Sequence, residues 1–324
     1  MKTVRGSCNL RILYEKNPEG ITVKRASSSD EEVFVPDSIE GVPITQIGDY
    51  AFSAEGPSCE QGEEILYLGK PDAGDFDNSK IKKVFIPETV RSFGSYVFYN
   101  CYSLGFVELY DTFDSWGGSV FINCLELHDF KLNMTEGPEI TLFRIAHEID
   151  AEFEAECIYP DGKRMVLLFP EYREMYEENA PARQFDYKIF GSGYGHHHSF
   201  NDRAFSPLDY DASWDGFLRM EDKPETAARI AVNRLMTPVG LTPKAKKQYE
   251  DYLRTDPYPA LRDSVRRRDM GAVSFLIKKT EPSAEILGRV CSFARDNRNT
   301  EALAVLMNAM GKGAAPRRSK TFDF

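Results

Sequence analysis

The chain has 324 residues, 42% hydrophobic and 28% charged, with a formal net charge of -11. That length and composition exclude a disordered chain and predict two or three structural units with ample apolar material for a core. The acidic balance excludes nucleic-acid binding as the work of the whole chain, since phosphate contacts need a positive surface, and no apolar run reaches the length of about 18 residues that a membrane span requires.

Charge is unevenly spread: residues 222–324 carry 20 Lys and Arg against 12 Asp and Glu, and residues 1–221 carry 20 against 39. Two surfaces of opposite sign are expected, and with them two kinds of protein contact. The opening MKTVRGSCNLRILYEK lacks an apolar segment of export-signal length, so the expectation is a cytoplasmic protein. Six cysteines without a CxxC pair read as small buried thiols rather than disulfides or metal ligands.

In chain order, NLRILYEK, NPEG and ITVKRAS (residues 9–35) predict a hairpin whose job is to cap a solenoid. A first, stretched copy of a repeat follows, VFVPDSIEGVPITQIGDYAF, in which Pro36, Ile47, Gly48 and Phe52 match Pro87, Phe93, Gly94 and Phe98 of the second copy. Residues 53–80 interrupt the series with Gly/Pro/Asp-rich pieces around ILYL, read as the strand of a further degenerate coil. From Ile81 to Leu132 the pattern recurs every 23 residues: Val84, Val107 and Phe130; Ile86, Leu109 and Leu132; Gly94 and Gly117; Phe98 and Phe121; Cys101 and Cys124. A period in the twenties means one short strand and one turn-rich return per coil, each coil burying its apolar side only against a neighbour.

The phrases VFVPDSIEGVPITQIGDYAF and KKVFIPETVRSFGSYVFYNCYSL resemble the BspA-like class of leucine-rich repeats, whose coil runs IPxxVxxIGxxAFxxCxxL. The resemblance covers residues 30–132 and implies a bacterial protein of unassigned function. In the third copy Tyr110 replaces the proline, beside an acidic edge of Asp111 and Asp114.

Beyond Leu132 the period is lost. Residues 138–169 predict strands, with Phe153, Ala155 and Cys157 alternating with Glu152, Glu154 and Glu156 as a solvated acidic face. A short helix over 170–179, a loop through Pro181, a segment QFDYKIF and a Gly-rich loop before His196–His198 come next. This stretch, with FPEY, NAPAR, GSGY and Phe217, resembles the segment that follows the repeats in cytoplasmic bacterial leucine-rich-repeat proteins. From residue 222 six amphipathic segments predict helices. Their pairings at a spacing of 30, such as Leu261 with Cys291 and Leu276 with Leu306, resemble degenerate ankyrin repeats without the TPLHxA signature.

The fold class expected is α+β: a short repeat solenoid with its cap over 1–135, a mixed α/β central segment over 136–220, an all-α helical-hairpin stack over 221–311, and a disordered tail over 312–324. Candidate chemistry is sparse. His196 and His198 are placed to share a face of an extended chain, with Asp202, Asp209 or His147 as nominal further metal ligands. GSGYG lacks dinucleotide-binding spacing, DYDASWD reads as a helix start or turn rather than a calcium loop, and no catalytic motif is present. The sequence therefore points to a non-enzymatic protein-interaction scaffold with no cofactor. Its expected contacts are Tyr96, Tyr99, Tyr102, Tyr110, Asp111 and Asp114 on the repeats, and the basic knot Arg266, Arg267 and Arg268. Two other classes stay open: a metal-dependent enzyme centred on Gly191–His198, and a secreted surface or adhesion protein.

Overall fold

The computed structural model describes residues 8–55, 64–69, 75–136, 140–179, 184–220 and 223–313. The chain forms two compact units, Met1–Met220 and Glu221–Phe324.

In the first unit, β1 (Leu10–Asn17) and β2 (Gly20–Ser28) form the expected antiparallel hairpin. The first coil carries β3 (Glu32–Phe34), β4 (Ser38–Ile39) and β5 (Val42–Ile47), and the interruption contributes β6 (Glu64–Leu68). The second coil holds β7 (Lys83–Phe85) and β8 (Ser92–Phe93), the third β9 (Phe106–Tyr110) and β10 (Ser115–Trp116), and the fourth opens with β11 (Asp129–Asn133). These strands build two sheets. One runs β10-β8-β5-β2-β1-β6. The other begins β3-β7-β9-β11 and continues through β12 (Phe153–Ile158) and β13 (Arg164–Phe169).

Within the second sheet β3, β7, β9, β11 and β12 are parallel, so Val33, Val84, Val107, Phe130 and Ala155 stand in one inward row. All five are buried. A column of rings runs alongside: Phe52 on Phe98 and Phe98 on Phe121, each at 5.4 Å, then Phe121 to Phe130 at 5.5 Å and Phe130 to Phe153 at 5.6 Å. The repeated cysteines join successive coils, Cys101 Sγ donating to the Phe52 carbonyl (3.1 Å) and Cys124 Sγ to that of Phe98 (3.2 Å). Burial pushes the Cys101 thiol up to about 12. At Gly117 an added Cβ would lie 2.3 Å from the carbonyl carbon of Gly94, so the repeated glycine serves the approach of one coil's backbone to the next.

Four expectations change. The ILYL strand is not a coil. Val33 pairs with Val84 directly, and β6 lies antiparallel on β1, outside the capping hairpin. The flanking pieces 56–63 and 70–74 lie outside the described residues. Nor does the array stop at 135: β12 extends the ladder, with Leu132 opposite Cys157, while antiparallel β13 closes it. Between β11 and β12 the return is α1 (Thr141–Glu148), a helix where strands were expected, because Thr141, Leu142, Ile145 and Ala146 bury one face at helical spacing. Finally, the helix expected over 170–179 is β14 (Tyr172–Asn179), paired with β15 (Gln184–Gly191) in a separate two-stranded ribbon.

The unit ends with the helical turn α2 (Tyr194–His197), the short strands β16 (Phe200–Asn201) and β17 (Ala204–Phe205), and the helices α3 (Pro207–Ala212) and α4 (Trp214–Met220). DYDASWD is thus helical, as expected, and Tyr210 within it bonds the N–H and carbonyl of Leu168 from one hydroxyl (3.2 and 2.5 Å).

The second unit consists of α5 (Pro224–Met236), α6 (Pro243–Thr255), α7 (Tyr258–Arg266), α8 (Met270–Thr280), α9 (Ala284–Asp296) and α10 (Thr300–Gly313). The layer α5-α7-α9 packs on the layer α6-α8-α10, giving stacked helical hairpins. The spacing of 30 has a physical cause. Arg268 and Arg298 take left-handed conformations (φ 59° and 52°), and Asp269 and Asn299 then cap the next helices by accepting from the N–H groups of Ala272 and Ala302. Residues 312 and 313 belong to α10, and the rest of the expected tail, 314–324, lies outside the described residues.

Phe98 is fully buried between two stacked rings. Phe98→Ala is expected to lower unfolding free energy by about 3–5 kcal/mol through lost burial and a cavity. Chemical denaturation measures it, and an unchanged midpoint would refute the inward assignment.

Candidate functional site: the corner ridge of the repeats

Each coil turns its corner through left-handed residues at repeated positions: Tyr50, Tyr96 and Ser119 (φ 55–60°), then Asn100 and Asn123 (φ 60° and 62°). The asparagines suit this conformation and also link the coils, Asn123 Nδ2 donating to Asn100 Oδ1 at 2.8 Å and Asn100 Nδ2 to Glu55 at 3.2 Å. Backbone bonds stack the corners, Ala54 N–H to the Tyr99 carbonyl (2.9 Å) and Asn100 N–H to that of Ile122 (3.3 Å). Side chains between the inward-facing residues therefore stand in outward rows, one coil above another.

Three of the expected contact residues meet here. Tyr96 stacks on Tyr50 with centroids 5.0 Å apart, and Tyr99 lies edge-on to both at 6.0 and 6.2 Å. Tyr102 is 42% exposed. The sequence reading missed Ile122 and Leu125, which occupy the positions of Tyr99 and Tyr102 one period later and are 41% and 76% exposed. The 23-residue spacing that singled out the tyrosines would have found them. Between residues 92 and 130 there are five Asp or Glu and no Lys or Arg. The corner is thus an apolar and aromatic ridge on a stretch without Lys or Arg.

The remaining expected residues lie elsewhere. Tyr110 ends β9 opposite Asn133, on the strand ladder. Asp114 is exposed in the turn before β10. Asp111 is interior, not part of an acidic edge: its Oδ1 accepts from the backbone N–H (3.0 Å) and hydroxyl (2.5 Å) of Thr141, capping α1 from the coil below. Burial raises its carboxyl above the usual range, against the opposing effect of Thr141. Glu148 anchors the other end of α1, accepting from Trp116 Nε1 (3.0 Å) and the Phe121 N–H (2.7 Å), and burial raises it as well. In the helical unit the basic knot is partly structural. Arg266 pairs with buried Asp263, which also accepts two bonds from Arg229 at 3.0 Å, and these guanidiniums hold Asp263 low although burial alone would raise it. Arg268 closes α7, and Arg267 is exposed.

The histidines do not share a face. A helical turn replaces the extended chain, so His196 points inward, packed edge-on to Tyr210 (4.7 Å) and Phe217 (5.5 Å), while His198 is exposed and stacked on Tyr194 at 4.0 Å. Among the described residues neither ring nitrogen of His196 has a hydrogen-bond partner, and burial lowers its pKa to about 3. His197 sets Nδ1 2.7 Å from the Ala146 carbonyl and Nε2 2.9 Å from that of Pro170. Burial lowers its pKa to about 4, and a neutral ring donates to only one of the two carbonyls. Asp209 is bound by Asn201 Nδ2 at 3.0 Å, and His147 Nδ1 lies 3.0 Å from the Phe143 carbonyl. No group of three metal-ligating side chains converges among the described residues.

Residues 72–141 match the family described as BspA type Leucine rich repeat region (6 copies). The array is a leucine-rich-repeat solenoid. A leucine rich cell surface protein from Faecalibacterium prausnitzii A2-165 is similar at 19% identity over 50% of this chain, with a TM-score of 0.26, and the chain spans only 43% of its length. The leucine-rich-repeat protein of T. pallidum is similar at 14% identity over 40% of this chain and 75% of its own length, with a TM-score of 0.22. No curated protein matches the chain. No helix among the described residues is long and apolar enough to cross a membrane.

His196 and His197 have folded pKa values below the ordinary 6.5, so their contribution to stability is complete above pH 6.5 and is lost as pH falls toward 4 and 3. Each adds a slope of up to about 1.4 kcal/mol per pH unit across that window. His196→Phe should flatten the decline in unfolding free energy between pH 6.5 and 4.5. Parallel wild-type and variant curves would show that the buried imidazole does not govern it.

Proposed function

We propose that the protein is a non-enzymatic interaction scaffold whose repeat solenoid presents the corner ridge to a protein partner. The observation that carries this reading is the pair of outward rows, half-buried Tyr99 with exposed Ile122 and exposed Tyr102 with Leu125, held on a rigid stack of coils. Exposed apolar residues in adjoining rows mark a contact surface more reliably than scattered ones, and tyrosines among them are rigid anchors. In this reading the helical unit is a second module with its own basic surface, and Arg267 belongs to it. A cytoplasmic location is part of this reading, supported by the free thiols Cys8, Cys101, Cys124, Cys157 and Cys291 among the described residues, the form in which a reducing compartment keeps cysteine.

Affinity capture from the native host with crosslinking identifies the partner, and purified components then give its affinity. Tyr102→Ala and Leu125→Ala should each weaken binding by about tenfold or more with unchanged melting temperatures, since both side chains are exposed. Full affinity in both variants would remove the ridge from the interface. Catalytic turnover abolished by changing His196 and His198 would overturn the scaffold reading.

A further inference from the structure

Among the described residues the helical unit ends on α10, with no further hairpin to cover it. Leu303, Met307 and Met310 follow one another at helical spacing along this last helix. Leu303 is half-buried, and the two methionines are 60% and 36% exposed. One repeat earlier, the positions equivalent to the first two hold Val273, which is fully buried, and Ile277, which is half-buried. An apolar face that an inner repeat covers thus lies open at the end of the stack, where repeat arrays carry a capping element.

Two carboxylates flank this face. The helices α9 and α10 form an antiparallel hairpin in which Met310 Sδ lies 3.9 Å from Cys291 Sγ, so the last turn of α10 sits beside the first half of α9. Glu285 stands in the first turn of α9, and Glu281 closes α8 just before it. Both are exposed, and neither has an ion-pair partner among the described residues. The occupant that fits brings large apolar side chains to the methionines and cations to the two glutamates.

The chain itself supplies such a segment. Beyond Gly313 the sequence reads AAPRRSKTFDF. Pro316 is incompatible with a continued helix, and Arg317 and Arg318 follow it directly. Phe322 and Phe324 are two apart, so an extended chain presents both on one face. The length suffices: Met307 lies about 9 Å back from Gly313 along the helix axis, and the chain from Pro316 to Phe322 spans up to about 20 Å when extended. A second copy would bring the same acid-flanked end against this one, and like charges oppose that pairing.

We propose that residues 314–324 dock on the open end of their own helical stack, with Arg317 and Arg318 on Glu281 and Glu285 and the two phenylalanines on Met307 and Met310.

Methyl NMR on the full chain labelled at its methionine methyl groups tests this, with Met307 and Met310 assigned through Met307→Leu and Met310→Leu. The rings should hold both resonances at ring-current-shifted positions, and the variant F322S/F324S should move both to the positions of solvent-exposed methionines. The variant E281K/E285K should move them in the same direction. Unchanged resonances of Met165 in the solenoid and Met236 on α5 show that the variants remain folded. In the variant M307C/F324C, which keeps Phe322, mild oxidation should give a disulfide within one chain, seen as a monomer on a non-reducing gel that M307C and F324C alone do not form. Methionine resonances indifferent to F322S/F324S, a covalent dimer in place of the intrachain disulfide, or no disulfide at all would overturn the proposal.

Discussion

At the corner where Gly117 passes Gly94, successive coils touch backbone to backbone, with no room for even a methyl group between them. That contact fixes how closely one coil lies on the next, and between Gly94 and Gly117 the chain comes back to it after 23 residues. Once the corners are in register, the Val and Leu rows, the phenylalanine column and the cysteine-to-carbonyl bonds follow, since each is a side chain repeating what its backbone repeats. The interior is consequently over-determined and carries little information about function. Outward positions between the constrained ones are free to vary, and Tyr99, Tyr102, Ile122 and Leu125 occupy them.

The same logic explains what could be read in the sequence. Coils two and three were legible because every turn of the solenoid meets the same constraints and answers with the same residues. The excursion through β6 was misread because it adds one full period to the distance between Ile47 and Val84, which mimics a coil; only the direct pairing of Val33 with Val84 shows otherwise. The fourth coil escaped because its return is a helix and the strand spacing grows to 25, with Phe130 opposite Ala155. Tyr172–Asn179 is rich in helix formers, yet pairing with Gln184–Gly191 overrides local propensity. Asp111 looked like part of an acidic edge because its binding partner, Thr141, is 30 residues away.

Helix α1 shows how the solenoid passes into the segment after it. Its N-terminal N–H groups meet a carboxylate from the third coil, a placement the helix dipole favours. Its last turn sends Glu148 back to Trp116 and Phe121 of that coil, while its Ala146 carbonyl faces His197 from beyond the array. Burial acts on these groups in opposite directions, raising the carboxyls and lowering the imidazole. The polar interior is therefore a set of fasteners around one helix. The histidine run, conspicuous in sequence, belongs to that set: His196 and His197 are inside, and only His198 reaches solvent.

Both units solve the repeating-turn problem with left-handed residues, and the choice of residue separates fold from function. In the helical unit Arg268 and Arg298 occupy the turn, and the following Asp269 and Asn299 are spent on capping. In the solenoid Asn100 and Asn123 are likewise spent on bonding the coils together. At the preceding left-handed position stand Tyr50, Tyr96 and Ser119. A large aromatic residue there is disfavoured by backbone conformation alone. The mutual stacking of the two tyrosines offsets part of that cost, but serine shows that the turn closes without them. The stacked pair Tyr50 and Tyr96 is therefore an aromatic addition beside the corner ridge that closing the turn does not require.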